Sequence, residues 1–153
     1  VKTYDLARAL RDAGVTVIGG FQAPMERECL DLLLRGTQPV IVCPARSLDN
    51  MRLAPAWKKP LSEGRLLLLS PFEAQVRRPT AELAQVRNEL VATLADEVLI
   101  AYADPGGKTE AFARTVLGWG KPVLTLDSTD NAGLVTLGAR PFEAGQLAKT
   151  LGR

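Results

Sequence analysis

Five short apolar runs, separated by segments of helical periodicity, constrain this chain more than any other feature. Val15 to Ile18, Pro39 to Cys43, Leu66 to Ser70, Glu97 to Tyr102 and Val123 to Leu126 each read as a strand. They are continuously apolar rather than alternating, as strands covered on both faces of a parallel sheet are. Leu6, Leu10 and Ala13 repeat at helical spacing ahead of Gly14, a C-terminal stop. Helices are predicted over 25–35, 80–95 and 109–117, with a possible kink at Arg87-Asn88, and the closing helices over 131–137 and 143–151. Residues 49–63 read as irregular because Pro55 and Pro60 interrupt any long helix. The alternation predicts an α/β fold: a doubly wound, mostly parallel sheet with helices on both faces. Residues 1–153 show no repeat, low-complexity stretch or linker, so a single domain is expected.

An open α/β domain begins with a central strand, whereas this sequence begins at Val1 inside a helical pattern. The expectation is that the N-terminal strand is missing. That would leave a central gap in the sheet or let the flanking strands pair directly.

Composition excludes more chemistry than any motif adds. There is no histidine, which removes Ser-His-Asp catalysis, His-zinc sites and imidazole proton shuttles. Cys29 and Cys43 lie inside apolar runs and read as buried, reduced thiols, so no metal site or disulfide is expected. No cofactor is expected either. A net charge of +2 is too small for a protein that coats duplex DNA, so any nucleic-acid contact should be a local patch. No apolar run is long enough to span a bilayer, and no signal-peptide pattern opens the sequence. A cytoplasmic location without membrane contact is the expectation.

The turn Asp104-Pro105-Gly106-Gly107-Lys108-Thr109 carries the clearest functional signal. It follows one predicted strand and precedes a helix, where ligands of open α/β sheets gather. Gly106 and Gly107 permit close backbone approach, the helix start favours an anion, and Lys108 and Thr109 add a charge and a hydroxyl. The bland alternative is a plain strand-to-helix turn capped by Thr109. The spacing is not that of a Walker A loop. Gly19-Gly20-Phe21 ends another strand and could line the same crevice, with Glu26 placed to hold a ribose hydroxyl. Arg87 borders the apolar face of its helix and needs a carboxylate, a carbonyl or a phosphate as partner. Asn88 is read as orienting a sugar or loop; Arg46 is placed at the cleft edge, and Arg77-Arg78 could extend its rim. Phe21 and Trp57 are the stacking candidates, while Phe112 and Trp119 are expected in the core.

Taken in order, several segments resemble the DNA-processing protein A (DprA/Smf) family. Gly14 to Phe21 is similar to that family's second strand and glycine loop, and Arg87-Asn88 to its Arg-Asn pair. Residues 105–111 fall where the family has a Ser-Gly-Thr-type loop, and 131–139 match its closing Asn…Leu…Gly-Ala segment. The resemblance covers residues 5 to 140 and implies a Rossmann-like domain that binds single-stranded DNA or nucleotide phosphates. It also implies self-association as a homo-oligomer, delivery of DNA to RecA, and no catalysis. The phosphate-binding set is then Gly19, Gly20, Phe21, Arg46, Arg87, Asn88, Gly106, Gly107, Lys108 and Thr109. Glu89 stands where the family has a second Arg, and 20–24 depart from its Ser-Gly-x-Ala stretch. A rival resemblance is to the lysine-decarboxylase-like (LOG) nucleoside-monophosphate phosphoribohydrolases, through Pro105-Gly106-Gly107, Thr109 and Glu110. It implies Arg87 and Glu110 as catalytic residues, or a sensor of a nucleotide-derived ligand.

Overall fold

The computed structural model describes residues 2–143 and residue 145. The elements are α1 (Lys2–Asp12), β1 (Val17–Gly19), α2 (Pro24–Leu34), β2 (Val40–Val42), α3 (Pro55–Ser62), β3 (Leu66–Leu68) and α4 (Ala81–Leu94). They continue with β4 (Val98–Ile100), α5 (Lys108–Gly118), β5 (Val123–Leu126), α6 (Ala132–Leu137) and β6 (Arg140–Phe142). All four ladders are parallel, as continuous apolar strands require. The strands form two three-stranded sheets, ordered β1-β2-β3 and β4-β5-β6. Among the described residues the first strand of each, β1 and β4, has one strand partner. The chain divides into two compact units, residues 7–91 and residues 2–6 with those from 92 onward.

The unit of residues 7–91 is built on Leu30, Leu33, Val40, Val42 and Leu66, with Val17, Phe21 and Trp57 packed against them. Burying each leucine is worth roughly 2 kcal/mol. Local chemistry sets the helix ends. In α2 Pro24 occupies the first turn, where its missing N–H costs nothing, and the Ala23 amide donates to Glu26 Oε2 at 2.9 Å. Thr80 Oγ1 accepts from the Leu83 amide at 3.1 Å at the start of α4, which then runs without a break through Arg87-Asn88. The irregular segment expected over 49–63 contains a helix after all. Pro55 opens α3 from its first turn, and Pro60 sits buried within it. Only a short helix is needed to bring Trp57 and Leu61 onto the core.

The second unit packs Ala92, Ile100, Ala113, Val116, Val123 and Leu134 together, with Phe112 against them. Lys121 Nζ donates to the carbonyls of Ala92, Thr93 and Ala95 at 2.5–2.9 Å and closes the end of α4. Trp119, expected inside, is 47% exposed, because it follows the last turn of α5 beyond the apolar face. A sixth strand, Arg140–Phe142, was not expected. It pairs with β5 at the sheet edge, where Pro141 is tolerated. The helix expected over 143–151 lies outside the described residues beyond Glu143 and Gly145. Among the described residues no helix is long and apolar enough to cross a membrane.

Candidate functional site

In the first unit the carboxyl ends of β1 and β2 are joined by the Cys43 amide, which donates to the Gly19 carbonyl at 2.9 Å. The chain then turns through Phe21, whose φ of 48° is left-handed, a conformation costing a non-glycine residue about 1 kcal/mol or more. That turn folds the Phe21 ring back onto Gly19, 3.2 Å from where a Cβ would stand, and against the core. Phe21 is therefore a plug, not a stacking platform. Trp57 is likewise taken up by the core from α3.

Arg87 enters this loop from α4 and is 5% exposed. Its Nε donates to Asn88 Oδ1 at 2.7 Å, Nη1 to the Cys43 carbonyl at 3.0 Å and Nη2 to Gln22 Oε1 at 3.3 Å. A Cβ on Gly20 would overlap the guanidinium, so only glycine lets the side chain lie across this backbone. Of the partners that sequence allowed, the carbonyl is realised. Burial pushes the Arg87 guanidinium below its ordinary value, opposed by Glu26 and Cys43. All three hydrogen-bond acceptors are neutral, and the charged guanidinium is favoured from nearby by the Glu26 carboxylate. Asn88 fixes the guanidinium. Glu26, expected to meet a ribose, instead caps α2 through the Ala23 amide. Arg46 turns onto its own loop: Nε donates to the Ser47 carbonyl and Nη2 to the Asp49 carbonyl, both at 2.8 Å. Arg77 and Arg78 are exposed.

In the second unit the turn at 104–107 joins β4 to α5, the strand-to-helix placement expected of it. Gly106 adopts φ +73°, which requires glycine. The Gly107 amide, expected to face a ligand, donates to the Asp104 carbonyl at 3.0 Å. Gly107 is the N-cap of α5, and no side chain caps this helix, so Thr109 is not the cap. The donors left by helix geometry are the first-turn amides that begin with Lys108 and Thr109. Glu110 is half-buried, near Arg114 at 3.9 Å, with one carboxylate oxygen 3.3 Å from where a Gly133 Cβ would stand. It is an α5–α6 packing group.

The same end of this sheet carries residues that sequence reasoning passed over. Asn131, 2% exposed, donates from Nδ2 to the carbonyls of Ala101 and Leu126 at 2.9 and 3.0 Å, joining the ends of β4 and β5. The closing Asn-Ala-Gly-Leu segment was the signal for it. Tyr102 is 51% exposed, and its hydroxyl donates to Asp104 Oδ1 at 2.8 Å. That bond, with the Asp104 charge, raises the Tyr102 phenol above its ordinary value. Burial raises the Cys43 thiol, against a smaller lowering by Arg87, and burial with Glu26 and Glu28 raises Cys29. Cys43 is buried and Cys29 only half-buried, and among the described residues neither is in a disulfide. Among the described residues no cluster of three or more His, Cys, Asp or Glu side chains is placed to hold a metal ion.

No protein-family model matches the chain, and no curated protein does. Solved structures do. The architecture is that of a Rossmann-like α/β protein, and within that class its likeness is to DNA processing protein A. The X-ray structure of DprA from Streptococcus pneumoniae aligns with 97% of this chain at a TM-score of 0.75 and 15% identity. DprA from Helicobacter pylori, studied for its unique single-stranded DNA binding mode, aligns over 97% at a TM-score of 0.73 and 25% identity. The chain spans 55% of the length of the first of these and 71% of the second. By fold it is DprA-like.

Proposed function

We propose that this chain binds single-stranded DNA through its phosphates, in the manner of a DprA-like domain without catalytic activity. The observation that carries the reading is Arg87: a nearly buried guanidinium, held by neutral acceptors across Gly20 at the strand ends, in a DprA fold. Arg87 raises the potential of the Gly19-Gly20 loop, Asn88 fixes it, and Arg46 adds charge nearby in the chain. In the other unit, Lys108 and the uncapped start of α5 offer a second phosphate position, shaped by Gly106, Gly107 and Thr109. Self-association, and delivery of the DNA to RecA in the cytoplasm, are implied by the resemblance and belong to the same proposal.

Fluorescence anisotropy of a labelled oligothymidine at two salt concentrations tests it. Binding should weaken as salt rises, since phosphate contacts release counterions. Arg87→Ala and Lys108→Ala should each weaken it further. A folded protein that leaves the oligonucleotide free at low salt would falsify the reading.

A further inference from the structure

Of the three acceptors around the Arg87 guanidinium, Gln22 is unlike the others. Asn88 is the next residue of α4 and the Cys43 carbonyl belongs to a strand end, whereas Gln22 reaches over from the exposed loop after β1. Its contact is also the longest, 3.3 Å against 2.7 and 3.0 Å, just past the usual range for an N–H···O bond. We propose that Gln22 is a displaceable lid: its amide oxygen stands where a phosphate oxygen would accept from Arg87, and binding swings it aside. The inference rests on the reading that the chain grips DNA phosphates.

The loop is built to release this one side chain. Behind the guanidinium the backbone is fixed: Nη1 is bonded to the Cys43 carbonyl, and Gly20 lies so close that a Cβ would overlap the group. Arg87 is nearly buried, so a phosphate reaches it only after a neighbour moves. The exposed glutamine costs least to move. One long bond to a neutral acceptor is lost, and a flexible side chain regains its rotamers. A phosphate returns more than it displaces, because a bond between two charged partners outweighs one to a neutral amide. Phe21 keeps the motion local. Its ring is packed in the core while its left-handed φ of 48° turns the chain, so Gln22 can leave with the loop still anchored. Glu26 acts on the guanidinium from nearby, but its carboxylate is tied to the Ala23 amide at 2.9 Å.

Truncating Gln22 separates a lid from a contact. A glutamine that itself held DNA would lose affinity when shortened, whereas removing a lid strengthens binding. In anisotropy titrations with oligothymidine, Gln22→Ala should bind about three- to tenfold more tightly, the scale of one competing hydrogen bond. Gln22→Glu sets a carboxylate against the guanidinium and should bind about tenfold more weakly. Phenylglyoxal, which modifies accessible guanidinium groups, reads the lid without DNA. Peptide mapping should find Arg87 modified several times faster in Gln22→Ala than in the unaltered protein, and more slowly in Gln22→Glu. Where the unaltered protein binds oligothymidine, a Gln22→Ala protein that binds no more tightly overturns the lid. Arg87 remaining equally protected in Gln22→Ala overturns it too, whatever the oligonucleotide does. If Arg87 is unmasked as described but neither the variants nor the unaltered protein binds oligothymidine, the lid stands and the DNA reading falls.

Discussion

The two sheets end differently at their carboxyl edges. After β1 and β2 the space is filled: the Phe21 ring lies on Gly19, and the Arg87 guanidinium lies across Gly20. After β4 and β5 a cleft is open, lined in part by the exposed Tyr102 and by Ser128, Asp130 and Asn131. Both edges use glycine, though for separate reasons. Gly20 is needed because a side chain occupies the place of its Cβ, and Gly106 because its backbone turns left-handed. A filled edge offers fixed charge and an open one offers space.

The comparison breaks most sharply at the filled edge. Gly20→Ala should force the guanidinium off the Cys43 carbonyl and Gln22, costing about 2–3 kcal/mol in urea unfolding. Arg87→Ala should cost a similar amount, and the pair should be far from additive because both act on one contact. Additive losses would show that Gly20 and Arg87 are not coupled. At the open edge Asn131→Ala removes the donor shared by two strand-end carbonyls, and about 1–2 kcal/mol should be lost. Gly106→Ala comes next, at about 1 kcal/mol for a left-handed alanine, read from the urea midpoint.

The smallest effects are in titration. The Cys43 and Cys29 thiols have higher values folded than unfolded, so the folded state retains those protons longer. Their contribution to stability is full below the unfolded thiol value and is lost as pH rises through the folded one. Unfolding free energy should therefore decline on going from pH 8 to pH 10, less so in Cys43→Ser. Tyr102 should titrate above an ordinary tyrosine by ultraviolet absorbance, and Asp104→Asn should bring it down.

Much of this was legible in the sequence, for identifiable reasons. Strands with buried faces need consecutive apolar residues, so Val40-Ile41-Val42 and Val123 to Leu126 announced themselves. Arg87 on an apolar helix border signalled a required partner, and Gly14 and Gly106 marked left-handed turns. Arg140-Pro141-Phe142 was hidden because an edge strand needs little apolar length, and its proline gives no ladder donor. Trp57 was misread because α3 is too short to show a period.

Local pattern thus determined the α/β alternation, the parallel strands, the two glycine turns and the presence of a buried arginine, since each depends on neighbours a few residues away. Tertiary structure decided what those features do. Arg87 finds Cys43 and Gln22 from 44 and 65 residues away, and Asn131 reaches back 30 residues to Ala101. Contacts across such separations have no local periodicity to betray them. The same is true of a cleft, whose volume is set by elements that meet only when the chain has folded.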